Sequence, residues 1–115
     1  MELKKIADLL SAEILVPGDD LNRDIKTIHA SDLISQVLAT CSRGALWLTG
    51  LLDPQIINTA ELFDLSCVVF IGNRRPSPDI LELATEERIP ILLTPLTMYE
   101  ACGRLHAEGL RPGTR

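Results

Sequence analysis

Three unbroken apolar runs punctuate the chain from residue 45 onward: Ala45–Thr49, Cys67–Ile71 and Ile91–Leu93. Each run ends on a turn signal, namely Gly50, Gly72 and the pair Thr94-Pro95. Short apolar runs without polar alternation suit strands buried on both faces, as in a parallel sheet. After each run the apolar positions change to helical spacing. Residues 54–64 present Ile56, Ala60 and Phe63, residues 77–87 present Ile80, Leu83 and Ala84, and residues 97–108 present Met98, Ala101, Cys102 and Leu105. The helix starts are marked as well. Asp53-Pro54 and Ser77-Pro78 each set a capping side chain before a proline at the first helical position, and Thr97 with Glu100 has the spacing of a capping box. Strand, short loop and capped helix, three times over, predict βαβ units and a mainly parallel sheet.

The first forty residues are less regular. Leu3, Ile6, Ala7 and Leu10 share one helical face, with Lys4, Lys5 and Asp8 opposite. Residues 12–16 read as a short strand that Pro17-Gly18-Asp19-Asp20 ends. Residues 25–30 alternate and predict a second strand, and Ser31 or Asp32 is placed to cap a helix carrying Ile34, Val37, Leu38 and Cys41. The tail, residues 111–115, has little to bury and is expected to fray, leaving one domain over residues 1–110.

Composition narrows the functional classes. Aliphatic residues must build the core, because 46% of the chain is hydrophobic and only 3% aromatic. The net charge is −5, and Lys4-Lys5 and Arg74-Arg75 are the only adjacent basic pairs, so no basic stripe exists to neutralise a phosphate backbone. Nucleic acid and anionic membranes are therefore not expected as partners. Cys41, Cys67 and Cys102 are odd in number and lack CxxC spacing, which fits buried thiols in a reducing, cytoplasmic setting. No secretory leader or membrane-length apolar run is visible in the sequence. Neither a phosphate-binding glycine loop, a nucleophile elbow nor a metal motif occurs, so no enzyme activity, metal or cofactor is expected. His29, Ser31 and Asp32 contain the residue types of a triad, but neighbours on one strand and turn rarely supply its geometry.

One place could still hold a ligand. In open parallel sheets, ligands bind beyond the carboxyl ends of the strands. Here those ends bring together Thr49, Gly50, Asp53, Gly72, Asn73, Arg74, Thr94 and Thr97, with helix N-termini suited to a small anion. Trp47, Leu51, Leu52 and Leu96 are the candidates for an exposed apolar patch, through which the chain would form a two-fold homodimer or meet a protein partner.

Four segments carry a family resemblance: Gly44–Gly50 (GALWLTG), Cys67–Gly72 (CVVFIG), Pro78–Ala84 (PDILELA) and Ile89–Leu96 (IPILLTPL). Together they resemble the DRTGG domain family, including the N-terminal domain of HPr kinase/phosphorylase and the DRTGG domain of phosphotransacetylases. The opening half, from Ala12 to Asp32, is similar to the first domain of Mur ligases. The resemblance implies a three-layer α/β/α fold and a non-catalytic regulatory or assembly role, with nucleotide or metabolite sensing as the alternative. The name-giving Asp-Arg-Thr-Gly-Gly string is missing; the corresponding loop reads Thr49-Gly-Leu-Leu-Asp53. A phosphate-binding kinase domain is also absent, so the resemblance carries no kinase activity.

Overall fold

The computed structural model describes residues 1–115 and places six strands in one sheet: β1 (Glu13–Val16), β2 (Thr27–Ala30), β3 (Leu46–Thr49), β4 (Cys67–Phe70), β5 (Ile91–Leu93) and β6 (Arg111–Pro112). The helices are α1 (Leu3–Leu9), α2 (Ile34–Thr40), α3 (Gln55–Leu62), α4 (Pro78–Glu86) and α5 (Met98–Ala107). Strand order is β1-β5-β4-β3-β2-β6, and every pairing is parallel except that of β1 with β5. The three apolar runs supply β3, β4 and β5, and every residue of these strands is buried, because each has a helical layer on either side.

Alternation along the strands sorts the core into two halves. Trp47, Val68, Phe70, Ile91 and Leu93 pack against Val37 of α2, Ile56 and Ala60 of α3 and Ile80 of α4. Leu46, Leu48, Cys67, Val69 and Leu92 pack on the opposite face against Leu3, Ile6 and Leu10, with Ala101 and Leu105 of α5. Helices α2, α3 and α4 thus form one outer layer, and α1 with α5 the other. This is the expected three-layer α/β/α arrangement.

Three expectations are corrected. Residues 111–115 do not fray: the tail becomes β6, the Arg111 amide donates to the Lys26 carbonyl at 3.1 Å, and the Gly113 amide donates to Ile28 O at 2.7 Å. It covers the outer edge of β2, which would otherwise show unpaired backbone groups. Gly113 is buried so closely that a β-carbon there would stand 2.7 Å from Ala45 Cβ. Neither Ser31 nor Asp32 caps α2, whose N-cap is Leu33 with no side-chain bond. Ser31 Oγ accepts from the Leu33 amide at 3.0 Å, while Asp32 turns towards β3. The anticipated apolar patch does not exist as such: Trp47 is fully buried and Leu96 is buried, while Leu51 and Leu52 are half-buried against the core. Apolar side chains stand open elsewhere, including Leu33, Leu38 and Leu62.

Candidate functional site

The carboxyl ends of β2, β3, β4 and β5 lie on one edge of the sheet because these strands run parallel. Between β4 and β5 the fold changes side, since α4 leaves towards one layer and α5 towards the other. Such a reversal is where an open α/β sheet forms its crevice. In this chain the crevice is closed by the backbone itself. The Gly72 amide donates to Leu96 O at 2.7 Å and the Asn73 amide to Thr94 O at 2.8 Å. Left-handed φ values of +65° at Gly72 and +57° at Asn73 turn the loop to make those bonds, and glycine and asparagine tolerate that conformation best.

The other predicted residues, Arg74 apart, also find internal partners. Thr94 is buried; its hydroxyl donates to Leu10 O at 2.6 Å and accepts from the Leu96 amide at 3.2 Å. Thr97 completes the capping box with Glu100, its Oγ1 accepting from the Glu100 amide at 3.2 Å. Asp53 Oδ1 accepts from the Gln55 amide at 2.9 Å, but it is not the expected cap: the N-cap of α3 is Pro54, which makes no side-chain bond, and the helix starts at Gln55. Thr49 Oγ1 accepts from the Leu51 amide at 3.1 Å and donates to Asp32 Oδ1 at 3.1 Å. The same Asp32 oxygen accepts from the Gly50 amide at 2.7 Å. A carboxylate of the chain thus occupies the position where an incoming anion would meet Gly50.

Asp32, expected from the sequence to cap α2, stands at this edge instead. Its signal was the strand before it: once residues 27–30 are recognised as part of the parallel set, the turn that follows must emerge at the same edge. Trp47 ties that turn to the core, with Nε1 donating to Ser31 O at 2.9 Å. Arg74 completes the group. It is exposed, makes no ion pair, and its Nη1 would lie 3.7 Å from a β-carbon built on Gly50. Thr49, Gly50 and Arg74 are therefore brought together around Asp32. Gly72, Asn73 and Thr94 form the neighbouring closed seam. None of the surface depressions of the molecule is lined by any of the eight predicted residues.

The remaining reactive groups are dispersed. His29 is buried with Nε2 unpartnered, and neither Ser31 nor Asp32 hydrogen-bonds to it, so the three do not form a triad. Burial pushes the Cys67 thiol well above the usual thiol range. Burial also raises Cys41, against the opposing charge of Arg115, and raises the half-buried Cys102. None of the three is tuned towards a nucleophilic thiolate. No three potential metal ligands cluster, and no helix is long and apolar enough to cross a membrane.

Comparison with protein families matches the DRTGG domain over residues 5–107. The chain belongs to the DRTGG domain family. Among solved structures, the DRTGG-containing regulatory region of Clostridium perfringens pyrophosphatase is similar in fold. That structure contains CBS and DRTGG domains in complex with the activator diadenosine tetraphosphate. The similarity has a TM-score of 0.73 at 21% identity, covering 90% of this chain and 45% of that one. This DRTGG chain thus spans about half the length of its structural neighbour, whose nucleotide binding is a property of the longer protein. A comparison with curated proteins finds no match.

Proposed function

We propose that this DRTGG chain is a non-catalytic regulatory module that acts through contacts with other chains, including copies of itself, in a cytoplasmic setting. The carrying observation is the contrast between its polar groups and its apolar ones. The donors and acceptors at the strand ends are largely consumed by internal bonds, while Leu38 of α2 and Leu62 of α3, which line one depression with Ile34, are 43% and 61% exposed. Contiguous open apolar surface is a common mark of a protein-contact site. Three unpaired cysteines fit a reducing compartment. Light scattering tests the self-association part of this reading; a monomer mass at micromolar and higher concentration would sink it.

A second reading is favoured by Arg74, the free guanidinium beside Gly50 and Asp32. Here the module senses a small anionic ligand, such as a nucleotide or phosphorylated metabolite, at the strand ends. The nucleotide activator of the structural neighbour supports that class of ligand. A planar guanidinium would fork onto a phosphate, and affinity would be modest because no loop closes over the site. Thermal-shift measurements with nucleotides, diadenosine tetraphosphate and acyl phosphates test it. A stabilisation that disappears in Arg74→Ala and Gly50→Val supports the ligand site, and no stabilisation by any of these compounds removes it.

A further inference from the structure

The two helical layers are unequal. Helices α2, α3 and α4 pack on one face of the six-stranded sheet, whereas only α1 and α5 pack on the other. Strands stand about 4.8 Å apart and packed helices about 10 Å, so one helix covers about two strands. Helices α1 and α5 accordingly bury the side chains of β3, β4 and β5 and leave the β2–β6 end of this face open. The result is a groove of about 230 Å³ between α5 and those two strands. Ile28, Leu105, Leu110 and Pro112 give it an aliphatic lining, and Cys102 lies half-buried in its wall. The β6 side is held in place by the backbone, through the Arg111 amide on Lys26 O at 3.1 Å and the Gly113 amide on Ile28 O at 2.7 Å.

The charge of this groove is one-sided. Arg111 and His106 line it, both exposed, and no carboxylate does, although the chain carries 16 acidic residues against 11 Lys and Arg. Neither Arg111 nor His106 forms an ion pair. Asp24 and Glu108 line the adjoining depression, which shares Arg111, yet Asp24 pairs with the amino terminus and Glu108 forms no ion pair. An aliphatic groove with an unpaired guanidinium at its rim complements a molecule with a hydrocarbon body and one negative head.

We propose that the α5–β2–β6 groove binds an aliphatic monocarboxylate of medium chain length, with its hydrocarbon on Ile28, Leu105 and Leu110 and its carboxylate on Arg111. This site differs from the strand-end edge in both place and ligand, and does not rest on either reading above. A planar guanidinium matches a carboxylate as a two-pronged fork, and charge-assisted bonds of this kind are the stronger ones. His106, in the last turn of α5, offers a second donor. No Phe, Tyr or Trp lines the groove, so a nucleobase finds no ring to stack on. The volume lies below the range of about 300–1,000 Å³ usual for drug-sized ligands, which fits a body of roughly eight to ten heavy atoms. So few atoms in an open groove give millimolar affinity.

Cys102 reports occupancy, because it alone of the three cysteines reaches solvent, while Cys41 and Cys67 are fully buried. Alkylation of the full chain by iodoacetamide, followed by intact mass, is measured against hexanoate, hexan-1-ol and acetate up to about 50 mM at constant ionic strength. Hexanoate is expected to slow modification of Cys102 half-maximally at about 3 mM, and the two controls, which each lack one half of the ligand, should need at least about tenfold more. Arg111→Gln keeps the β6 backbone and should bring hexanoate down to the level of hexan-1-ol, about a tenfold loss. Arg74→Ala should respond as the wild type does. Amide NMR shifts at Ile28 and Leu110 should follow the same titration without any thiol chemistry. Hexan-1-ol or acetate acting as well as hexanoate, an undiminished response in folded Arg111→Gln, or unmoved Ile28 and Leu110 resonances overturns this assignment. A response lost in Arg74→Ala moves the ligand to the strand ends and overturns it equally.

Discussion

The strand-end edge and the α2–α3 face are both places where a fold of this kind could meet something, yet they are built oppositely. At the edge, polar groups are abundant and nearly all are engaged. Asp32 holds the Gly50 amide, Thr94 holds Leu10 and Leu96, and the loops after β4 and β5 bond to each other. At the face, Gln55, Asn58 and Thr59 stand among Ile34, Leu38 and Leu62, and the last two leucines are open to solvent. The difference shows why an inventory of residues is a poor guide to a site. A glycine, a threonine and a helix start are all present at the edge, but their hydrogen-bonding capacity is already used.

The largest expected effect comes from the residue that joins the two regions. Trp47 is fully buried beneath the α2–α4 layer and bonds the Ser31 carbonyl at the edge. Trp47→Ala should lose about 3–5 kcal/mol in urea denaturation, from the cavity it leaves. A loss under about 1 kcal/mol would mean that the edge and the layer are not coupled through this ring.

Asp32→Ala comes next. It removes the acceptor shared by Gly50 N and Thr49 Oγ1, and should cost about 1–2 kcal/mol. If chemical denaturation gives no loss, Asp32 does not organise the edge, and the Gly50 amide is open to an incoming anion.

The alkaline limb of stability comes third. Burial raises the Cys67 thiol above its ordinary value of 9.0, so above pH 9 the unfolded chain sheds a proton that the folded chain retains. Stability from this group is complete below that pH and falls as pH rises, by up to about 1.4 kcal/mol per unit. Cys67→Ala should flatten the fall between about pH 9 and 10; equal slopes in the two proteins would show that water reaches Cys67.

Smallest are the changes at the open groups. Arg74→Ala and Leu62→Gln should each alter monomer stability by less than about 0.5 kcal/mol, since both side chains are exposed and Arg74 lacks an ion partner. A thermal melt showing a much larger loss for either would contradict its placement as an open surface group.

Much of the fold was written into local chemistry. Unbroken apolar runs can be satisfied only between two layers, so residues 45–49, 67–71 and 91–93 specified central strands. Ser77 and Thr97 specified helix starts, because capping needs only neighbours along the chain. The position of strand ends, and thus the grouping of Thr49, Gly50 and Arg74, followed from the same pattern. Distant pairing decided the rest. Whether residues 111–115 order depends on the open edge of β2, more than eighty residues away in sequence, which the tail does not encode. Asp32 serves β3 rather than its own helix because the parallel register brings Gly50 within reach of its carboxylate. The seam between β4 and β5 shuts because two loops separated by more than twenty residues meet in space. Hydrogen-bond satisfaction between remote segments is a property of three-dimensional proximity, and so the sequence determined the elements and their layers, while tertiary structure decided which of its polar groups remained free.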